Sequence, residues 1–159
     1  MRIDILCVGK IKESFYTDAI KEYCKRISKF ATVNILEVKD EKTVDGASSK
    51  EEEMVLSKEA SRLMEHLSDR AFICGLCIEG KQLSSEELSE LLEDKKSQGY
   101  SHYQFIIGGS LGIYEELKKK CHFKLSFSKM TFPHQLMRVV LLEQIYRAFK
   151  ISNNEPYHK

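Results

Sequence analysis

Three stretches of this chain combine residue types that can bind or transform a ligand. The first is IIGGSLG at 106–112, where an apolar run ends in Gly108 and Gly109. Paired glycines at a strand end let a ligand approach the backbone with no Cβ between. They also serve a tight turn between strand and helix. The spacing is neither G-x-G-x-x-G nor a P-loop, so the common dinucleotide and nucleoside triphosphate fingerprints are missing. The second stretch is SFSKMTFP at 126–133. Thr131 reads as a helix N-cap, with Phe132 at the first helical position and Pro133 within the first turn. Ser126, Ser128, Lys129 and Thr131 then gather near the free N–H groups of a helix start, while Phe127, Met130 and Phe132 add apolar surface. That mixture suits a ligand with a flat base, a ribose and a carboxylate tail. A capped helix with aromatic core residues explains it equally well. The third stretch is the tail NNEPYHK, in which Tyr157, His158 and Lys159 combine stacking, titratable and cationic groups after the helix-stopping Pro156. Segments of this kind are usually frayed.

Cys74-Gly75-Leu76-Cys77 matches C-x-x-C. A redox dithiol normally sits at a helix N-terminus, whereas this one falls inside a strand-like run, where its two side chains point to opposite faces. No second pair is spaced for zinc. Packing is therefore the expected role, and no metal is expected. The five cysteines, Cys7, Cys24, Cys74, Cys77 and Cys121, are odd in number and mostly lie within apolar patterns. Reduced thiols in a reducing compartment account for them.

The elements that must position these groups alternate between two periods. RIDILCV, TVNILEV, AFICGLCI, HYQFIIGG and KLSFS read as strands. Residues 13–30, 48–67, the stretch LSSEELSELLEDKK, IYEELKKK and residues 132–151 read as helices. Alternating strands and helices predict an α/β domain with a mostly parallel sheet covered on both faces. Such sheets bind ligands beyond the C-terminal ends of their strands. The ends at 76–81, 108–112 and 127–132 line one crevice if the third, fourth and fifth strands are neighbours. The last helix carries two apolar stripes: Met137, Val140, Leu141, Ala148 and Ile151 on one, Val139, Leu142, Tyr146 and Phe149 on the other. One stripe suits the sheet, and the second predicts a homodimer through this helix. Leu142→Asp is then expected to give a monomer or an unfolded chain.

With 159 residues, 42 % of them hydrophobic and 31 % charged, the chain suits one folded domain. No apolar run is long enough for a bilayer, and MRIDILCVGK reads as a first strand rather than a leader, so a cytoplasmic protein with no membrane association is expected. The net charge of +1 is a poor match for indiscriminate nucleic-acid binding. An RNA partner would need local placement of charge or a shaped target.

GGS, the long block LSFSKMTFPHQLMRVVLLEQIYRAFKI and the closing PYHK closely resemble the RlmH family of SPOUT-class RNA methyltransferases. The opening ILCVGKIKESFY, followed by EY-KRI, is similar to the family's start, so the resemblance covers essentially residues 1–159 as one SPOUT domain. It implies a C-terminal trefoil knot, a homodimer, and S-adenosyl-L-methionine as methyl donor. It further implies methylation of N3 of a pseudouridine in large-subunit (23S) ribosomal RNA on the assembled ribosome. Carried over residue by residue, the cofactor contacts become Leu76, Gly108, Phe127, Ser128, Lys129, Met130, Thr131 and Phe132, with Gly109 as a second choice. The tail is expected in the partner's active site, where His158 assists proton removal or orients the base and Tyr157 stacks on the target nucleoside. Lys159, Arg138 and His134 form the expected RNA-contacting set. Family members often end in Arg; Lys159 keeps the charge but loses the bidentate fork.

Overall fold

A computed structural model describes residues 1–159. Five strands, β1 (Arg2–Val8), β2 (Thr32–Val38), β3 (Phe72–Gln82), β4 (His102–Ile107) and β5 (Phe123–Ser126), alternate with five helices, α1 (Ser14–Ile27), α2 (Ser49–Met64), α3 (Ser85–Ser97), α4 (Glu115–Lys118) and α5 (His134–Ser152). The strands form one sheet in the order β2-β1-β4-β3-β5, and every pairing is parallel. The alternation expected from the sequence is therefore present, and β4, β3 and β5 are neighbours.

Side chains of successive strand residues leave the sheet on opposite faces, and the two faces bury different cores. Ile3, Ile5 and Cys7 of β1 join Tyr103, Phe105 and Ile107 of β4 beneath α1, α3 and α5. Leu6, Val8 and Ile106 point the other way, under Ala60 and Leu63 of α2 and Leu117 of α4. Cys74 belongs to the first core and Cys77 to the second, as a strand placement of C-x-x-C requires. At the N-terminal end of the sheet, far along the strands from the crevice, Asp4 is fully buried. Its carboxylate accepts hydrogen bonds from Arg2 (2.9 Å), Asn34 (2.9 Å) and Gln104 (3.3 Å), and His102 Nε2 lies 2.7 Å away.

Local sequence explains most element boundaries. Ser48 with Glu51, and Ser84 with Glu87, form reciprocal capping boxes that start α2 and α3. Among the boundaries that differ from expectation, two bear on the site. β3 continues past Ile78 to Gln82, with an irregularity against β5 between Leu76 and Lys81. The apolar run stops earlier because the added residues Glu79, Lys81 and Gln82 are exposed. Gly80 permits the close passage, since a Cβ there would lie 2.6 Å from the Lys124 carbonyl oxygen. At α5, Thr131 is not the cap: the helix begins at His134, Pro133 takes the cap position in an extended conformation, and no side chain caps it. A residue preceding proline is disfavoured in helical geometry, which keeps Phe132 out of the helix.

The double apolar face of α5 also has a different explanation from the expected one. Leu142 and Phe149 of the second stripe are as buried within one subunit as Leu141 and Ala148 of the first. Phe30, just after α1, stacks on Phe149 at 5.3 Å between ring centroids. On the other side, the Ser89 hydroxyl of α3 donates to the Ala148 carbonyl at 2.8 Å. Flanking helices of the same chain therefore cover much of what was assigned to a second copy. Leu142→Asp would probe the core rather than an interface. Val139 and Tyr146 stay half-buried.

Candidate active site

Beyond the C-terminal ends of β3, β4 and β5 lies a pocket of about 120 Å³. Leu76, Cys77 and Ile78 form one wall. The loop after β4 supplies Gly108, Gly109 and Gly112, and the loop before α5 supplies Phe127, Ser128, Met130, Thr131 and Phe132. His134 and Met137 of α5 close the base. The structure thus brings together Leu76, Gly108, Gly109, Phe127, Ser128, Met130, Thr131 and Phe132 among the expected cofactor residues. Lys129 is exposed and does not line the pocket.

Each loop is held in shape by its own chemistry. The loop after β4 folds back so tightly that a Cβ on Gly108 would sit 2.2 Å from the Gly112 carbonyl oxygen. Gly112 has a φ of 86°, a conformation that favours glycine, and its N–H donates to the Gly109 carbonyl at 3.0 Å. Before α5, the Ser126 hydroxyl donates to the Ser128 carbonyl (3.1 Å), while the Ser128 hydroxyl accepts the Met130 N–H (3.0 Å). These bonds leave Met130 and Phe132 unburied: Met130 is 75 % exposed and Ile78, on the opposite wall, 51 %. Large apolar side chains around a mouth suit a bound ligand or a second protein surface.

The lining matches S-adenosyl-L-methionine in chemical character, while its volume of about 120 Å³ is smaller than the roughly 300–1,000 Å³ of pockets that enclose such ligands, so part of the donor would lie in the open mouth. The apolar side chains accept an adenine face and a thioether chain, glycine backbone can approach the ligand closely, and the Ser128 and Thr131 hydroxyls lie at the rim. No three or more His, Cys, Asp or Glu side chains are grouped to hold a metal ion. Burial pushes the Cys77 and Cys121 thiols up to about 11 and the Cys74 thiol higher still, so the C-x-x-C pair is not a thiolate nucleophile.

Three titratable side chains around the pocket take roles that residue type alone does not reveal. Arg138, expected to meet RNA, is 0 % exposed. Its guanidinium donates to Glu37 (2.8 Å) and to the Val8 (3.1 Å) and Gly9 (2.7 Å) carbonyls. It therefore ties α5 to the ends of β1 and β2 and is unavailable to a substrate. His134 lines the pocket one helical turn earlier. Burial, and then the Arg138 charge, lower its pKa from the ordinary histidine value, and its Nδ1 is buried without a partner. Glu59 of α2 was not anticipated: it is 5 % exposed, with its carboxylate oxygens 3.2 and 3.4 Å from the position a Cβ on Gly109 would take. It accepts the Glu41 N–H at 3.1 Å, and burial raises its pKa. No local signal marks it, because an acid on an amphipathic helix is ordinarily solvated.

The tail is docked rather than frayed. Tyr157 donates to Glu143 at 3.1 Å and meets Tyr146 edge-on, with ring centroids 4.9 Å apart; the Arg147 guanidinium lies 4.6 Å from the Tyr157 ring centre. His158 Nδ1 lies 3.3 Å from Arg147 and its Nε2 2.7 Å from Glu86. Arginine only donates, so Nδ1 accepts and Nε2 carries the hydrogen toward Glu86. Tyr157, His158 and the exposed Lys159 do not line the pocket of their own subunit.

Comparison with known proteins identifies the family of the chain. The family model described as "Predicted SPOUT methyltransferase" matches residues 1–158. The chain is 55 % identical over 159 residues to the "Ribosomal RNA large subunit methyltransferase H" of Bifidobacterium animalis subsp. lactis (strain AD011), covering 100 % of both chains. It is 54 % identical, over the same full length of both chains, to the protein of the same name from Clostridium botulinum (strain Kyoto / Type A2). With a parallel sheet, a pocket at its carboxyl ends and this similarity along almost every residue, the chain belongs to the SPOUT methyltransferase family.

Proposed function

We propose that this protein is a cytoplasmic S-adenosyl-L-methionine-dependent methyltransferase that modifies N3 of a pseudouridine in 23S ribosomal RNA. It acts on the assembled large subunit as a homodimer with a composite active site. The observation that carries the reading is full-length similarity to enzymes named for large-subunit ribosomal RNA methylation, joined to a pocket whose lining suits the donor. The C-terminal knot belongs to the same proposal. After the edge strand β5, the chain returns across the ends of β3 and β4 so that Arg138 reaches the end of β1, a path that supports threading.

When bound, S-adenosyl-L-methionine supplies a methyl group on a positively charged sulfur, an electrophile that asks for no protein nucleophile. The protein's task is positioning. Gly108, Leu76 and the 127–132 loop orient the donor, and apolar side chains exclude water from it. The N3 imide is protonated near neutral pH, so a group must take or displace that proton. His158 from a partner subunit performs this role or aligns the base. Tyr157 stacks on the nucleoside, and Lys159 meets a phosphate. The single-subunit geometry supports a tail acting in trans: the tail groups are absent from their own pocket while Met130, Phe132 and Ile78 stand exposed at its mouth. No helix is long and apolar enough to cross a membrane.

Incubation of the protein and labelled donor with large ribosomal subunits, followed by mass mapping of the RNA, tests the reading. One methylated pseudouridine is expected, with far less label on short free RNA. Label on another nucleotide, or none, contradicts it.

A further inference from the structure

Beside the donor pocket lies a larger cleft, of about 570 Å³, between the loop after β1, the end of β2 and the start of α5. Lys10, Lys12 and Lys39 line it together with Glu37, Asp40 and His134. His134 also lines the donor pocket, so the two cavities share a wall.

The charges in this cleft are unevenly matched. Glu37 is occupied: it accepts from Arg138 at 2.8 Å and from the Ile11 N–H at 3.2 Å. None of the three lysines is in an ion pair, whereas Lys95, Lys96, Lys118, Lys119 and Lys150 each have a carboxylate partner. The lining thus holds three lysines against two carboxylates, and of those two only Asp40 has no cationic partner. The protein's net charge is only +1, so this local excess is a matter of placement. Acids crowd the first turns of α2 and α3; beside the cleft, Glu41 is paired with Arg62 and Glu59 is buried with its pKa raised.

We infer that this cleft is the phosphate-binding site for the RNA strand on either side of the methyl acceptor, with His134 as the partition between backbone and reacting base. The inference rests on the proposed ribosomal RNA methyltransferase activity and identifies the surface through which that substrate is held. Flexible, exposed lysines without an arginine fork suit sugar-phosphate backbone, which fixes register without reading sequence. With three lysines set against Glu37 and Asp40, the cleft is too lightly charged to hold RNA by itself. That fits an enzyme whose substrate is presented by a folded particle.

The test uses the full-length protein with Lys10→Gln, Lys12→Gln and Lys39→Gln, singly and together, and Lys50→Gln on α2 as a control. Affinity for large ribosomal subunits is measured against salt, KM for those subunits by methyl transfer, and donor binding by calorimetry. Each single change is expected to raise KM about two- to fivefold. The triple change should lower the slope of log affinity against log salt by about 2, at roughly 0.7 per lost contact. Donor affinity should be unchanged, and Lys50→Gln should match the parent. A triple variant with the parent's KM and salt slope overturns the inference. So does a photoreactive group at position 39 that crosslinks to ribosomal protein instead of RNA. Donor binding and methylation by the unaltered protein report separately on the underlying activity.

Discussion

Arg138→Met separates a structural cation from a substrate contact. The substitution keeps an unbranched chain of similar length but removes the group that donates to Glu37, the Val8 carbonyl and the Gly9 carbonyl. Two carbonyls at the ends of parallel strands lose a partner in a region with no exposure of the side chain that served them, at about 1–3 kcal/mol each. Glu37 is 33 % exposed and recovers hydration, so its loss is discounted. The total comes to about 2–6 kcal/mol, which brackets the roughly 3–5 kcal/mol found when one partner of a buried pair is removed. For a chain of this size that corresponds to a fall in Tm of about 10 °C. Urea unfolding followed by circular dichroism measures it directly. A change below about 1 kcal/mol, accompanied by weaker binding to ribosomal subunits, would refute the structural assignment and return Arg138 to the RNA-contacting set.

Three further outcomes follow from the same geometry. Gly108→Ala places a methyl 2.2 Å from the Gly112 carbonyl oxygen, so calorimetry should show donor affinity falling more than about tenfold while the chain stays folded; unchanged affinity would remove this loop from the donor site. Burial would raise the Asp4 pKa, yet hydrogen bonds from Arg2, Asn34, His102 and Gln104 hold it below the usual carboxylate value. Its stabilising contribution is therefore present above the unfolded-state pKa and is lost as pH falls through the folded-state value, so below about pH 4 the stability of Asp4→Asn should decline less steeply than that of the parent; parallel curves would show that Asp4 does not set acid sensitivity. Val139→Glu, on the half-buried side of α5, should sediment as a folded monomer, and a persistent dimer would place the interface elsewhere.

Legibility in the sequence divided along physical lines. Period-two and helical patterns place every strand and helix because those signals are local, although several helix ends fall short of the expected bounds. The three pocket loops were legible because parallel sheets bind ligands beyond the ends of their strands; their residues alone fit a turn and a capped helix equally well, and the family resemblance supplied the individual contacts. Arg138 was misread because a helical wheel shows direction but not depth. A cation at a strand-end crevice and a cation facing solvent give the same pattern. Leu142 and Phe149 were assigned to a partner for a related reason: α1 and α3 flank α5 from distant parts of the chain, and that neighbourhood is absent from local periodicity. Thr131 lost the cap position to the backbone restriction imposed by Pro133. Glu59 escaped notice because its significance depends on Gly109, fifty residues later in the chain. The cleft of Lys10, Lys12 and Lys39 joins two loops that only strand pairing brings side by side.

A mixed-dimer experiment tests the central claim most directly. One subunit carries His158→Ala with an intact pocket, and the other carries Gly108→Ala with an intact tail; each is inactive alone, and the two are unfolded and refolded together. If the tail of one copy completes the pocket of the other, half the dimers are mixed and each has one complete site, restoring about one quarter of the parent's ribosome methylation. No recovery from a mixture shown to contain mixed dimers would mean that pocket and tail work within a single subunit, contradicting the composite site.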